Sequence, residues 1–225
     1  MKVEIWSDVV CPWCYIGKHR FERALTEFEH ADQVEVTWHS FQLHPEAPRG
    51  QAVPTQEYLT RRFGPQASEM TARTAQVASG EGLDLDFAKA LTVNTIDAHR
   101  LLHLAADEGV AGAAEERLFR AHFTEGADLS DPDTLIALMK EAGADPDQAR
   151  TVLDGGGYAE AVQADLDEAR ALGISGVPFF VLNRKYGVSG AQPAETFLQA
   201  LRTAFNDNLS LTTLARRSAA PSRSR

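Results

Sequence analysis

Cysteine is scarce in this sequence, since its 225 residues include only two. A disulfide-stabilised scaffold needs several bridges, and a structural zinc site usually takes four cysteine or histidine ligands. Two cysteines allow a single bridge, and His19, His39 and His44 do not follow zinc-finger spacing. The sequence therefore predicts neither a disulfide scaffold nor a bound metal.

The chain has too few basic residues for a protein that binds the phosphate backbone of a nucleic acid. The chain has 22 Lys and Arg against 32 Asp and Glu, which gives a formal net charge of −10. Because a nucleic-acid-binding domain normally carries a basic surface, nucleic acid is not expected as a partner.

Long apolar runs are missing as well. No stretch approaches the roughly 18 consecutive apolar residues of a membrane span. The opening segment MKVEIWSDVV also lacks the apolar core of a secretory signal. We therefore expect no membrane partner and a cytoplasmic location, where a pair of cysteines is more often catalytic than structural.

What is present predicts a globular α/β protein. Apolar residues make up 44% of the chain, which is enough for a sizeable core. Residues 2–10 have the pattern of a buried strand, residues 11–30 that of a helix, and residues 34–43 alternate as a second strand does. This order is typical of a βαβ unit with parallel strands.

The middle of the chain is predicted to be helical throughout. No convincing strand pattern occurs between residues 56 and 172, and Gly and Asp-Pro pairs punctuate the segment. The predicted helices are 56–63, 66–79, 86–108, 113–124, 133–141, 147–153 and 158–172.

Strand character returns near the C-terminal end. Residues 178–182 and 186–188 are predicted to form a hairpin, followed by a helix from 194 to about 206. The fold class is therefore α/β, with βαβ and ββα halves and a large all-helical insertion between the second and third strands. We predict one domain from 1–55 and 173–210, a helical domain at 56–172, and a disordered tail at 211–225.

The two cysteines stand three positions apart, in CPWC, where the first strand gives way to the first helix. A helix N-terminus presents unpaired N–H groups and a partial positive charge, and both favour the thiolate of Cys11. Cys14 lies one turn further along, where it is expected to be shielded. This arrangement predicts thiol–disulfide exchange, with Cys11 as the exposed nucleophile and Cys14 as the resolving thiol. A pair of inert buried thiols and a static disulfide are the alternatives.

A family resemblance extends over nearly the whole chain. The run CPWCYIGKHRFE, the helical segment, GVPFF and GVSGAQP follow in the order seen in the DsbA superfamily, and the chain most resembles its FrnE-like branch. The resemblance implies a thioredoxin fold and a dithiol–disulfide oxidoreductase. It also implies that Pro178 is a cis-proline facing the cysteines, with Val177 before it as a substrate-binding residue. Asn94 and His99 fall in a run that lines the cleft of relatives.

The resemblance further implies disulfide or thiol substrates, either peptides or small molecules, and a redox partner that the sequence does not identify. No cofactor is expected to be bound, although glutathione is a candidate co-substrate.

The chain departs from the family pattern at two places. Where many relatives have a buried acid before the first cysteine, this chain has Ile5. Asp8 is nearer, and we interpret it as a loop or capping residue, with proton transfer to Cys14 as the alternative. Pro12 and Trp13 are the expected redox-tuning residues. Trp13 replaces the histidine of a CPHC site and supplies no cation, which predicts a weaker oxidant.

Two other functions compete. Glutathione-linked enzymes of the kappa-transferase or 2-hydroxychromene-2-carboxylate isomerase type share this inserted thioredoxin fold. They usually have serine at the reactive position, so the intact pair disfavours them. The third interpretation is a non-enzymatic, chaperone-like binding module that uses the cleft.

Overall fold

The structure is a computed structural model that describes residues 1–218, with side chains up to residue 207. The elements in chain order are β1 (Lys2–Ser7), α1 (Pro12–Thr26), β2 (Glu35–Ser40), β3 (Val53–Pro54), α2 (Thr55–Phe63), α3 (Ala67–Gly80), β4 (Leu91–Thr92), α4 (Ile96–Asp107), α5 (Ala111–Arg120), α6 (Pro132–Glu141), α7 (Pro146–Asp154), α8 (Ala159–Ala171), β5 (Phe179–Leu182), β6 (Tyr186–Ser189) and α9 (Ala194–Ser218). A π-helical turn, Ala121–Glu125, continues α5.

Four strands form the main sheet in the order β2-β1-β5-β6. β1 and β2 run parallel, with Lys2 opposite Glu35. β5 lies antiparallel to β1, and β6 lies antiparallel to β5. The helices α2–α8 are inserted between β2 and β5. The predicted thioredoxin-like α/β fold, with its helical insertion between the second and third strands of this sheet, is therefore confirmed.

The central strand β1 is buried on both faces from Val3 to Ser7, although only half of its sequence, KVEIWS, is apolar. One face packs against α1 and α9 in a cluster that includes Val3, Ile5, Phe21, Phe180, Phe197 and Leu201. The other face contributes Trp6 to a smaller cluster with Ala169, Ile174 and Val181. The inserted helices have a core of their own, which includes Leu101, Leu104, Leu118, Leu135 and Met139.

Two local predictions for the helical insertion were wrong. Residues 56–172 contain a strand, β4, which pairs antiparallel with β3. Two-residue strands leave no alternating pattern in the sequence, so this pairing gave no signal. The predicted helix 86–108 begins only at Ile96, because β4 and turns occupy the preceding residues.

The last helix is longer than predicted, since α9 continues to Ser218. The segment predicted to be disordered, 211–225, overlaps α9 as far as Ser218, and 219–225 lie outside the described residues.

Among residues 1–218, no helix has both the length and the apolar character that crossing a membrane requires.

Candidate active site

Cys11 is the N-cap residue of α1. Its backbone is extended, with φ −93° and ψ 111°, and Pro12 opens the helix without needing an N–H partner. No side chain caps this helix and no acidic residue lies in its first turn. The partial positive charge of the N-terminus therefore acts on the Cys11 sulfur without a competing carboxylate from the same turn.

Both cysteines are free thiols and both are buried. Cys11 is 4% exposed and Cys14 is 1% exposed, so the expectation of an exposed Cys11 was wrong. The cause is the loop before β5, because the Cys11 thiol donates to the carbonyl oxygen of Val177 at 3.6 Å.

The Cys14 thiol is held in its protonated form. Burial and the neighbouring Cys11 sulfur raise the pKa of Cys14 well above its ordinary value, whereas the Asp8 N–H and the Ser7 hydroxyl act in the opposite direction. A thiol that stays protonated does not attack first. The environment of Cys14 thus suits a resolving thiol that ionises only after Cys11 has reacted.

Alkylation should distinguish the two thiols. In the reduced protein we expect iodoacetamide to label Cys11 severalfold faster than Cys14, because the alkylating species is the thiolate and burial suppresses the thiolate of Cys14. Peptide mass spectrometry measures the two rates, with the urea-denatured protein as the equal-reactivity control. Faster labelling of Cys14 would contradict the assignment of roles.

The loop that carries Val177 packs tightly on α1. The Val177–Pro178 peptide bond is cis. A Cβ added at Gly17 would lie 2.9 Å from Pro178 Cγ and 3.4 Å from Ala191 Cβ. Only glycine at this position of α1 therefore lets the Pro178 loop lie against the helix that carries the cysteines.

Gly17→Ala should disturb this contact. We expect a loss of about 1–3 kcal/mol in the free energy of unfolding, the usual cost of overpacking, together with slower disulfide exchange. Gly112→Ala in α5 is the matched control, since nothing lies within 4 Å of the added methyl group there. Urea denaturation and disulfide-exchange rates of both variants test the prediction, and equal effects would contradict it.

Buried ionisable groups lie behind the cysteines. Asp8 is fully buried, and its Oδ2 accepts from the Leu43 N–H at 2.7 Å. Its Oδ1 lies 3.4 Å from Nε2 of His99, which is also buried. Burial alone would lower the pKa of His99, but the Asp8 carboxylate outweighs it, so the pKa is raised. Asp8 is thus the acidic partner in a buried ion pair, in addition to its place in the loop before α1.

Glu115, on α5, belongs to the same buried region. Burial raises its pKa to about 7, against the opposing charges of His99 and Lys18. Folding therefore favours the protonated carboxyl group. The stability associated with that group is complete below pH 4.5 and is lost as the pH rises to about 7.

Glu115→Gln removes this titration. Relative to the original protein, the variant should gain up to about 3 kcal/mol of stability between pH ~4.5 and ~8. Urea denaturation of both proteins at several pH values measures the difference. A difference that does not change with pH would show that Glu115 does not titrate in this range.

The other residues predicted from the sequence differ in where they lie relative to the two cysteines. Trp13 is 39% exposed at the start of α1. The Asn94 side chain donates to Ala47 O at 2.7 Å and accepts from the Ile96 N–H at 3.0 Å, so it fastens a loop to the start of α4. His99 borders a small cavity with His103 and Glu115 rather than the surface beside Cys11.

A pocket adjoins the CPWC segment, and sequence reasoning missed it. Its walls come from α2, α3, the β3–β4 pair and the turn after α5, and its volume is about 190 Å³. Pro12 and Trp13 line its near side. The pocket forms only where the insertion packs against α1, so the sequence does not reveal it directly. The aromatic Trp13 in CPWC was a partial indication of an apolar surface there.

One group of side chains has metal-ligand chemistry. Ligand atoms of His19, Glu22 and Glu116 lie within 4.8 Å of one another. The Lys18 ammonium group is 2.6 Å from Glu116 and 2.8 Å from Glu22. Since this cation already balances the carboxylates, the group supports no metal proposal.

Comparisons with known proteins agree with this geometry. Residues 2–202 match the family model for the DSBA-like thioredoxin domain. A probable DsbA oxidoreductase from Streptomyces coelicolor has a similar structure, with a TM-score of 0.88 and 44% identity, over 92% of this chain and 90% of that one.

Two less similar proteins also match most of this chain. Uncharacterized protein YwbO of Bacillus subtilis is 27% identical over 202 residues, which cover 88% of this chain and 94% of that protein. The cytosolic disulfide reductase DsbM from Pseudomonas aeruginosa, whose structure was solved with GSH, has a TM-score of 0.62 at 22% identity. It covers 92% of this chain and 100% of its own, and this likeness shows the fold alone.

Proposed function

Since this chain belongs to the DSBA-like thioredoxin domain family, we propose that it catalyses thiol–disulfide exchange with Cys11 as the nucleophile and Cys14 as the resolving thiol. The observation that carries the proposal is the asymmetry of the pair. Cys11 occupies the N-cap position of a helix that no side chain caps, whereas burial holds Cys14 protonated. We also place the chain in the FrnE-like branch, which rests on the CPWC, GVPFF and GVSGAQP motifs.

The reaction proceeds in two exchanges. The Cys11 thiolate attacks one sulfur of a substrate disulfide, the S–S bond breaks, and the departing thiolate takes up a proton. Cys14 then loses its proton and attacks the Cys11 sulfur, which releases the second substrate thiol. Two electrons pass from the dithiol to the substrate, and the protein is left with a Cys11–Cys14 disulfide. The reverse sequence oxidises a dithiol substrate.

Val177 and Pro178 are the proposed substrate-binding residues. The Val177 carbonyl oxygen already accepts from Cys11 Sγ, so a substrate that displaces this contact would lie next to the reactive sulfur. The proposed substrates are peptide or small-molecule disulfides and thiols, with glutathione as a co-substrate and an unidentified redox partner. The proposed compartment is the cytoplasm, where a pair of cysteines is more often catalytic than structural.

Insulin reduction tests this function. With dithiothreitol as the electron source, the protein should accelerate precipitation of the insulin B chain, and the Cys11→Ser variant should not. A chaperone-like module would delay precipitation instead. Conjugation of glutathione to an electrophile, measured in parallel, tests the transferase interpretation. Failure to accelerate the reduction of insulin and of small-molecule disulfides alike, with the protein folded, would refute the proposal.

A further inference from the structure

The position, lining and charge of the pocket beside CPWC indicate which class of substrate it would bind. Val10 and Pro12, the residues on either side of Cys11, both line it, whereas Cys11 itself does not, so the pocket lies beside the reactive cysteine rather than around its sulfur. Its apolar walls are formed by Val10, Pro12, Trp13, Leu43, Leu59, Met70, Phe87 and Phe123. Its volume of about 190 Å³ is comparable to the roughly 150 Å³ of an apolar cavity that holds benzene.

The pocket carries no formal charge at neutral pH. No Asp, Glu, Lys or Arg is among the described residues that line it. Its two histidines are neutral, because burial lowers the pKa of His44 and lowers that of His122 to about 4. A carboxylate or an ammonium group entering this space would lose water and meet no charged side chain among the lining residues, although the Arg62 guanidinium donates to the Tyr58 hydroxyl of the wall at 2.7 Å.

Most polar side chains in the wall are already satisfied within the protein. Thr55 pairs with Thr92 at 3.2 Å, and the Tyr58 hydroxyl meets His44 Nδ1 at 3.0 Å. The hydroxyls of Thr71 and Thr74 donate to backbone carbonyl oxygens one turn earlier in α3.

His122 differs from these side chains. It is 1% exposed, and its Nδ1 has no hydrogen-bond partner among the described residues. A buried polar atom without a partner costs stability unless a bound group satisfies it. Because this nitrogen is itself buried, His122 contributes ring surface to the pocket wall rather than an accessible hydrogen-bonding group.

We infer that this pocket binds the organic group of a small, uncharged aromatic thiol or disulfide and presents its sulfur to Cys11. This inference rests on the proposed function and specifies its substrate class. Glutathione, with two carboxylates and an ammonium group, fits the pocket poorly. The exchange follows the balanced steps given above: Cys11 takes one sulfur of the aromatic disulfide, the other half leaves as a thiol, and Cys14 releases the bound half.

Four disulfides separate charge from aromatic character. 4,4′-Dithiodipyridine is aromatic and uncharged, and 5,5′-dithiobis(2-nitrobenzoate) is aromatic and charged. Bis(2-hydroxyethyl) disulfide is uncharged and aliphatic, and glutathione disulfide is charged and aliphatic. Oxidation of the reduced protein by each probe is followed by acid quenching and thiol trapping. Each rate is divided by the rate at which the same probe oxidises dithiothreitol. This ratio corrects for the different intrinsic reactivities of the four disulfides.

We expect the normalised rate for dithiodipyridine to exceed the other three by about tenfold, which corresponds to about 1.4 kcal/mol of selective binding. Met70→Glu changes the pocket wall at a residue that is 46% exposed, so the fold should tolerate it. The added carboxylate keeps its water and removes apolar contact, so the dithiodipyridine rate should fall about threefold. Leu172→Glu, at an equally exposed site outside the pocket, is the matched control and should change nothing.

The outcomes separate the inference from the function on which it rests. Equal normalised rates for all four probes, with insulin still reduced, would overturn the pocket assignment and leave the oxidoreductase intact. A fall of the same size in Met70→Glu and Leu172→Glu would also overturn it. If insulin is not reduced and no probe oxidises the protein faster than it oxidises dithiothreitol, the proposed function fails as well.

Discussion

Cys11→Ser is expected to lower disulfide-exchange activity to the rate of the uncatalysed reaction. A serine hydroxyl at the N-terminus of α1 is far less nucleophilic than a thiolate at neutral pH. Cys14 cannot replace Cys11, because it is buried and its pKa is raised well above the ordinary value. The insulin assay measures the loss, and near-normal activity in this variant would refute the assigned nucleophile.

Cys14→Ser should behave differently. Cys11 remains free to attack, but the mixed disulfide has no internal thiol to resolve it. We expect this variant to accumulate covalent adducts with substrate, visible as a mass increase that dithiothreitol reverses. Adducts that form on Cys11→Ser instead would reverse the two roles.

The second large effect concerns Asp8 and stability. Asp8→Asn keeps the size of the side chain and an acceptor for the Leu43 N–H, but it removes the charge that faces His99. Removing one partner of a buried ion pair typically costs about 3 to 5 kcal/mol. Urea denaturation followed by tryptophan fluorescence measures this loss, and Trp6, which is fully buried, provides the signal.

The loss should depend on pH in a defined direction. Because the pKa of His99 is raised in the folded protein, the stability from this pair is complete below its ordinary value of 6.5 and is lost as the pH rises through the folded value. Asp8→Asn should therefore be most destabilising below pH ~6.5 and less so in alkaline solution.

Two controls isolate the pair. Asp133→Asn makes the same change in an exposed ion pair with Arg150 and should have little effect. The double variant Asp8→Asn/His99→Gln should be more stable than the sum of the single changes predicts, by about 1–3 kcal/mol. Strict additivity would show that Asp8 and His99 do not interact.

The order of the strands in the main sheet and of most helices was predictable because these elements carry their own local signals. Pro12 marks the start of α1, and Phe21 is one of the apolar residues that recur at helical spacing and so mark its buried face. The CPWC pair could therefore be placed at a helix N-terminus from sequence alone. The alternation within residues 34–43 and the PFFVL segment likewise identified β2 and β5.

What could not be predicted depends on residues that meet only in the folded chain. Asp8 and His99 belong to distant segments, and neither sequence context reveals the other. The burial of Cys11 depends on the Val177 loop, and the pocket depends on how α2 and α3 lie against CPWC. The β3–β4 pair is too short to show a periodicity.

The central position of β1 has a consequence for synthesis on the ribosome. β1 is made before the other strands of the sheet, yet one of its two neighbours, β5, follows only after the helical insertion, and the Lys2 N–H donates to Asn183 across 181 positions of sequence. The apolar face of α1 that α9 covers, including Phe21, therefore has no cover until the C-terminal end emerges. The nascent chain must pass through translation with Cys11 and Cys14 outside their finished surroundings, in a state prone to aggregation and to exchange with disulfides of other molecules. A chain truncated before α9 should consequently be recovered as insoluble protein rather than as a smaller active enzyme.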